Sequence, residues 1–311
     1  MNFPSRHPLH LGFNPDGLIQ EADAVLVVEC PTPWFHDVCK PPASARVIHL
    51  GRDPHFSRYV MRSYPADAVL AGDPAAGLRS LQAALASRLA GKGEAVERRR
   101  ARCALTHQRQ RAAWAEEVER ARAARPIDPR WLSACISQVL DGDTILLNEY
   151  VLDIRPSELK VPGTYFRSSH AGGLGWALGA SLGAKLARPE KTVLAVVGDG
   201  TYIYNAPTSA HFVSRAQGLP CLTVILNNRM WNAVRTAVRY LYPGGVSCSR
   251  DEYPLSRLEP APDYEKIVEA SGGYGERVED PGGLLPALRR AIQVVRGEGR
   301  QAVLNVICQA I

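Results

Sequence analysis

Asp199 lies between Gly198 and Gly200, directly after Val193–Val197, a short apolar run rich in β-branched residues. Such a run is too short for a helix and reads as a buried strand. Leu222–Leu226 is a second run of the same kind and ends in Asn227–Asn228. The segment between them, from about Asn205 to Ala216, is predicted to be helical. A strand–helix–strand unit makes its two strands parallel. The carboxylate and the paired amides therefore come to one sheet edge, the edge where open α/β sheets bind ligands. A carboxylate with an amide oxygen is a hard-oxygen set suited to Mg²⁺, usually completed by phosphate oxygens and water. Gly200 and Thr201 offer backbone N–H groups to a diphosphate, and Met230, two residues past Asn228, offers a carbonyl to the metal. The competing reading is a capping aspartate and a turn Asn–Asn pair, each common alone. Their joint occurrence on consecutive parallel strands favours a metal–diphosphate site.

Three further groups carry possible chemistry. Gly172-Gly173-Leu174-Gly175, with Gly179 behind it, has the look of a dinucleotide-binding glycine pattern. Such a fingerprint should follow its strand at once, whereas about twenty residues separate this run from Glu149. Close packing of a helix spanning Gly172–Ala187 on a neighbour is the simpler cause of so many small residues. His170, just before the glycine run, and His36, after Pro31-Thr32-Pro33-Trp34-Phe35, are candidate proton shuttles. The alternative for each is an exposed or structurally bonded histidine. Asn148–Glu149 closes the strand predicted at Thr144–Leu147, and functional and structural readings stand level there.

The elements that must position these groups follow from the pattern. At 311 residues, 46% hydrophobic and 22% charged, the chain has room for two domains with cores of their own. Residues 1–88 read as a partial, Rossmann-like α/β domain with strands at Asp23–Val28, Arg46–Leu50 and Ala68–Ala71, and a helix with an inward stripe at Leu78, Leu81, Leu85 and Leu89. No strand precedes Gln20, so this sheet is expected to lack its first strands. Residues 89–127 read as a charged helical linker. Residues 128–311 alternate strands and helices and predict one α/β domain with a doubly wound parallel sheet. The Pro/Gly-rich stretch Tyr242–Pro262 is long for an ordered loop and is expected to be a lid or a mobile segment.

Charge and cysteine usage narrow the partners. The net charge is +6, but Arg88–Arg130 alone holds twelve Lys/Arg against six Asp/Glu, so the whole excess sits in that one segment around the linker. That is a solvated helix face, without the interleaved aromatics of a single-strand platform, and no nucleic acid is expected. No apolar run is long enough for a membrane span, and residues 1–15 lack a signal pattern. The seven cysteines are odd in number and show no Cys-x-x-Cys spacing, which predicts reduced thiols in a cytoplasmic protein.

Gly198-Asp199-Gly200, a helix, then Asn227-Asn228 resembles the signature of the thiamine-diphosphate enzymes. The likeness extends from Pro162–Phe166 through Ala171–Gly179 to Gly200 and is similar to enzymes of the benzoylformate decarboxylase and acetolactate synthase type. It implies the thiamine-diphosphate-binding fold, with Asp199, Asn228 and the Met230 carbonyl on Mg²⁺. It further implies that Gly198, Gly200 and Thr201 lie along the diphosphate. Leu174 would wedge under the cofactor to bend it, and a Gly172 backbone group would meet the aminopyrimidine. His36 falls near an active-site histidine of benzoylformate decarboxylase. The implied activity is decarboxylation or carboligation of a 2-oxo acid, in a homo-oligomer or with a partner chain. Three departures stand out: Asp199 and Asn228 are 29 positions apart, slightly more than the family pattern; Asn232 stands where glycine is usual; and the family's first domain, with the glutamate that bonds the aminopyrimidine, has no counterpart. Glu149 is on the wrong domain for that role. Two alternatives remain at this level: a cofactor-binding half without activity of its own, and an NAD-dependent dehydrogenase built on the glycine run.

Overall fold

The computed structural model describes residues 3–149, 151–167 and 172–310. The chain divides into two compact units, Leu11–His107 and Met1–His10 together with Gln108–Ile311. In the smaller unit β1 (Ala24–Val28), β2 (Arg46–Gly51) and β3 (Ala68–Ala71) lie at the three positions expected to be strands and form a parallel sheet in that order. Its core gathers Ile19, Val27, Trp34, Cys39 and Val47. Helix α1 (Pro74–Arg88) is N-capped by Asp73, but its expected inward stripe is not inward: Leu78 is 43% and Leu85 41% exposed. Three short strands are too narrow to cover it. Helix α2 (Gly93–Ala121) occupies the charged stretch, and the division between the units falls within it. The first residues go with the larger unit, since Leu159 N donates to Ser5 Oγ (3.1 Å) and Ser5 N to the Leu159 carbonyl (3.2 Å).

Among the described residues the larger unit carries a six-stranded parallel sheet. Its strands are β4 (Thr144–Glu149), β5 (Tyr165–Arg167), β6 (Thr192–Gly198), β7 (Leu222–Asn227), β8 (Tyr274–Val278) and β9 (Ala302–Ile307), in the order β5-β4-β6-β7-β9-β8. The helices are α3 (Pro129–Val139), α4 (Ala177–Ala187), α5 (Asp199–Tyr204), α6 (Pro207–Ala216), α7 (Asn232–Leu241), α8 (Val246–Arg250), α9 (Tyr264–Glu269) and α10 (Leu284–Gly297). Alternate residues of β6 join different cores: Leu194 and Val196 pack with Leu132, Leu288 and Ala291, whereas Ala195 and Val197 pack with Leu178, Tyr202 and Tyr264. Both faces are thus covered, which is why β6, β7 and β9 are apolar almost throughout. This is the doubly wound sheet that the alternation predicts. The chain leaves β4 toward β5 and leaves β6 toward β7, so the carboxyl ends of β4 and β6 form a switch point, the usual ligand crevice of such sheets.

Two predicted helices are redrawn there. The helix expected at Asn205–Ala216 is α6, which starts only at Pro207, and a further short helix that the pattern did not predict, α5, precedes it from Asp199, with Ala206 at φ +45° between them. The helix expected from Gly172 begins only at Ala177, because Gly172 (φ +66°) and Gly175 (φ +92°) are left-handed. A Cβ on Gly175 would lie 2.4 Å from the Tyr204 carbonyl oxygen, so only glycine allows that approach. The close packing predicted for α4 is made by Ala177, Leu178 and Ser181. Gly179 and Gly183 face open space, with nothing among the described residues within 4 Å of a Cβ at either.

What fixes the start of α4 is Glu149 at the end of β4, 0% exposed. Its carboxylate accepts from Gly175 N (2.6 Å), Ala177 N (2.9 Å) and Asn205 Nδ2 (3.1 Å). Asn205 Oδ1 in turn accepts from Leu178 N (2.8 Å). A buried carboxylate facing helix-start N–H groups is well placed. Glu149→Leu leaves these donors without an acceptor and is expected to cost more than about 3 kcal/mol in denaturant unfolding. A loss near zero would show that the carboxylate does not hold α4.

Candidate functional site

Strand β6 is buried along its whole length and delivers Gly198 and Asp199 to the carboxyl edge of the sheet. Asp199, the first residue of α5, is 2% exposed, and its Oδ2 finds no hydrogen-bond partner among the described residues. Burial raises the Asp199 pKa from 3.8 to about 6, and the backbone N–H groups of Gly200, Arg229 and Met230 offset this only in part. Those N–H groups bring the turn after β7 to the same carboxylate. There Asn227 Oδ1 accepts from Arg229 N (3.2 Å) and Asn228 Oδ1 from Met230 N (3.1 Å). Asn228, half-buried, keeps a second lone pair on that oxygen.

The turn continues into a tight contact. A Cβ on Gly200 would lie 2.2 Å from the Trp231 ring, so the indole rests directly on the Gly-Asp-Gly backbone, and Tyr204 packs on it at 5.4 Å. The segment predicted as a lid or mobile stretch is tied here: Trp231 N donates to the Ser256 carbonyl (2.7 Å) and Leu258 N to that of Arg229 (2.8 Å). It also holds the short helix α8. Behind the site Tyr264 is buried with its hydroxyl unpartnered among the described residues; burial and the Asp199 charge push its pKa up to about 12.

Of the residues singled out in the sequence, Gly198, Asp199, Gly200, Thr201, Asn228 and Met230 meet at this edge. Gly172 and Leu174 lie on the exposed loop into α4, with Leu174 43% exposed. His36 lies in the smaller unit, where it stacks on Tyr64 (4.9 Å) and Trp34 Nε1 donates to its Nδ1 (3.3 Å). His170 is outside the described residues. The glycine run has work other than nucleotide binding, since the N–H groups at its end already face Glu149. That removes the basis of the dehydrogenase reading. Asn205, Tyr264, Glu265 and Asn305 escaped the sequence reading; Asn205, Glu265 and Asn305 act through partners distant in the chain, and no local spacing marks any of them.

The donor set suits a hard cation. Among the described residues no three His, Cys, Asp or Glu side chains gather as a metal cluster. A cation here would rest on one carboxylate, one amide oxygen and a backbone carbonyl, leaving room for phosphate oxygens in the manner of Mg²⁺. The buried, unpartnered Oδ2 of Asp199 would suit such an ion.

Residues 154–306 match the family model described as thiamine pyrophosphate enzyme, C-terminal TPP binding domain. Over these residues the chain is similar to the thiamine pyrophosphate enzymes. It is 30% identical over 190 residues to a probable acetolactate synthase of Mycobacterium bovis, covering 58% of this chain and 31% of that protein. It is 27% identical over 246 residues to benzoylformate decarboxylase of Pseudomonas aeruginosa, covering 75% and 42%. The solved thiamine diphosphate-dependent 4-hydroxybenzoylformate decarboxylase of Rhodococcus jostii shares the fold, with a TM-score of 0.69 and 20% identity over 99% of this chain and 54% of that one. The chain thus spans from about a third to about half of these proteins. This likeness implies thiamine diphosphate as the cofactor, with Mg²⁺ as its usual partner ion. No helix of the described residues is long and apolar enough to cross a membrane, and all seven cysteines are free.

The raised Asp199 pKa has a sign. Below about pH 4 its carboxyl is protonated folded or unfolded and contributes fully to stability; that contribution is lost as the pH rises through about 6. In metal-free protein Asp199→Asn should therefore stabilise at pH 8, by on the order of 3 kcal/mol at most, and change little near pH 4. Denaturant unfolding with a chelator at both pH values measures this, and an equal effect at both would contradict it.

Proposed function

We propose that this chain is the cofactor-holding part of a thiamine-diphosphate- and Mg²⁺-dependent enzyme that decarboxylates or carboligates 2-oxo acids. The observation that carries the reading is the buried Asp199 carboxylate, with one oxygen unpartnered, at the same sheet edge as Asn228 and Met230. Asp199, Asn228 Oδ1 and the Met230 carbonyl hold the metal. Gly198, Gly200 and Thr201 give the diphosphate a close backbone, Leu174 supports the bent cofactor, and Gly172 meets its aminopyrimidine. His36 and His170 are the candidates for moving protons. When bound, thiamine diphosphate supplies the nucleophilic carbon and the electron sink for breaking the bond to CO₂.

In this reading residues 128–311 are the diphosphate-binding domain, residues 1–88 part of a central domain, and residues 89–127 the linker between them. The glutamate that activates the aminopyrimidine comes from a pyrimidine-binding domain outside the described residues, in the same protein or in a partner subunit of an oligomer. Glu149 does not serve, because its oxygens are committed to Gly175, Ala177 and Asn205. Seven free thiols suit a cytoplasmic setting.

Calorimetric titration of thiamine diphosphate into wild type and Asp199→Ala, with and without Mg²⁺, tests the site. Wild type should bind only with Mg²⁺, and the variant at least about tenfold more weakly; equal binding by both proteins would overturn the assignment. Pyruvate and benzoylformate should not be turned over by this chain alone. Robust decarboxylation would refute the need for a separate pyrimidine-binding domain.

A further inference from the structure

Helix α9 sends a carboxylate inward. Glu265, in its first turn, is buried, and its Oε2 accepts a 2.7 Å hydrogen bond from Asn305 Nδ2. Asn305, within β9 and 0% exposed, accepts at Oδ1 from Asn227 Nδ2 (3.0 Å). Asn227 closes β7, and its own Oδ1 receives the N–H of Arg229 (3.2 Å). A carboxylate and two amides thus run in file from α9 across two strands to the turn that carries Asn228 and Met230. Strand β8 makes room for this: a Cβ on Gly275 would lie 2.1 Å from the Glu265 carbonyl oxygen, so α9 comes in directly over a glycine.

A file of buried polar groups between strands that are mostly apolar does not serve packing alone. Its direction carries the information. Glu265 accepts at Oε2, so Asn305 turns its NH₂ outward to α9 and its oxygen inward to Asn227. Asn227 must then give its NH₂ to Asn305 and keep its oxygen for the Arg229 N–H. Without an acceptor oxygen at position 265 both amides are free to flip, and a flipped Asn227 would set its NH₂ against that N–H, donor to donor. The residue so held needs holding. Arg229 is left-handed at φ +59°, unfavourable for a residue with a Cβ, and its carbonyl is held from the other side by Leu258 N.

We propose that Glu265 is a positioning residue: acting through Asn305 and Asn227, it sets the turn that presents Asn228 and the Met230 carbonyl to the metal ion. The proposal rests on the metal–diphosphate reading of the site for its function, but the relay itself does not. Two measurements on the full chain test it. In the first, the Mg²⁺ concentration for half-maximal thiamine diphosphate binding should rise roughly 10- to 100-fold in Glu265→Leu. It should stay near wild type in Glu265→Gln, which keeps an acceptor oxygen. In the second, amide hydrogen exchange at Arg229 in ligand-free protein should speed up in Glu265→Leu and not in Glu265→Gln. Unchanged Mg²⁺ dependence together with unchanged exchange in Glu265→Leu overturns the proposal. So does a Glu265→Gln variant as impaired as Glu265→Leu, since a general structural role would not distinguish them. If wild type shows no Mg²⁺-dependent binding, the reading of the site fails alone, and exchange at Arg229 still decides the relay. Should Glu265→Leu not fold, Asn305→Asp sets two carboxylates face to face and should speed exchange at Arg229. Adding Glu265→Gln restores a donor–acceptor pair and should slow it again; equal exchange in the single and double variants overturns the relay.

Discussion

A carboxylate stripped of water with one oxygen unpartnered is costly, and the fold accepts that cost at Asp199. The sheet makes it tolerable. Strand β6 is buried on both faces and paired with β4 and β7, so Gly198 cannot retreat toward solvent. Trp231 lies on Gly200 and closes the other side. The N–H groups of Gly200, Arg229 and Met230 partly stabilise the charge, without fully satisfying it. A hard cation with its phosphate would complete what the protein leaves open, and no rearrangement of β6 would be needed to receive it.

Two buried carboxylates stand at neighbouring strand ends, and environment alone gives them different work. Glu149 meets two backbone N–H groups and an amide at ordinary hydrogen-bond distances, so it fixes the loop into α4. Asp199 keeps an oxygen without a partner. The contrast reassigns the glycine run. In the sequence it has the look of a nucleotide loop; in the fold Gly175 is needed for its left-handed backbone and its approach to Tyr204, and the N–H groups around it serve the protein's own carboxylate. The turn after β7 follows the same logic, since the strain at Arg229 persists only because hydrogen bonds hold it from two sides.

Much of the larger unit was legible in the chain. Apolar runs mark β4, β6, β7 and β9, and their alternation with helical segments implies a parallel sheet with its ligand edge at Asp199 and Asn227–Asn228. Three-residue β5 was not, because so short a strand has no periodicity. Nor were the breaks at Ala206 and before Ala177, where backbone conformation at single residues outweighs the helical pattern. The stripe on α1 had the right spacing for burial but no sheet broad enough to bury it.

The sequence by itself determined which residues reach the ligand edge, because strand runs and side-chain alternation are local properties that need only a few consecutive residues. Only the tertiary structure decided which of the groups gathered there is open to a ligand. Whether a buried oxygen is satisfied depends on donors far along the chain: Gly175 for Glu149, Asn227 for Asn305, Asn305 for Glu265. Hydrogen-bond satisfaction is a property of the packed edge, and no spacing along the chain records it.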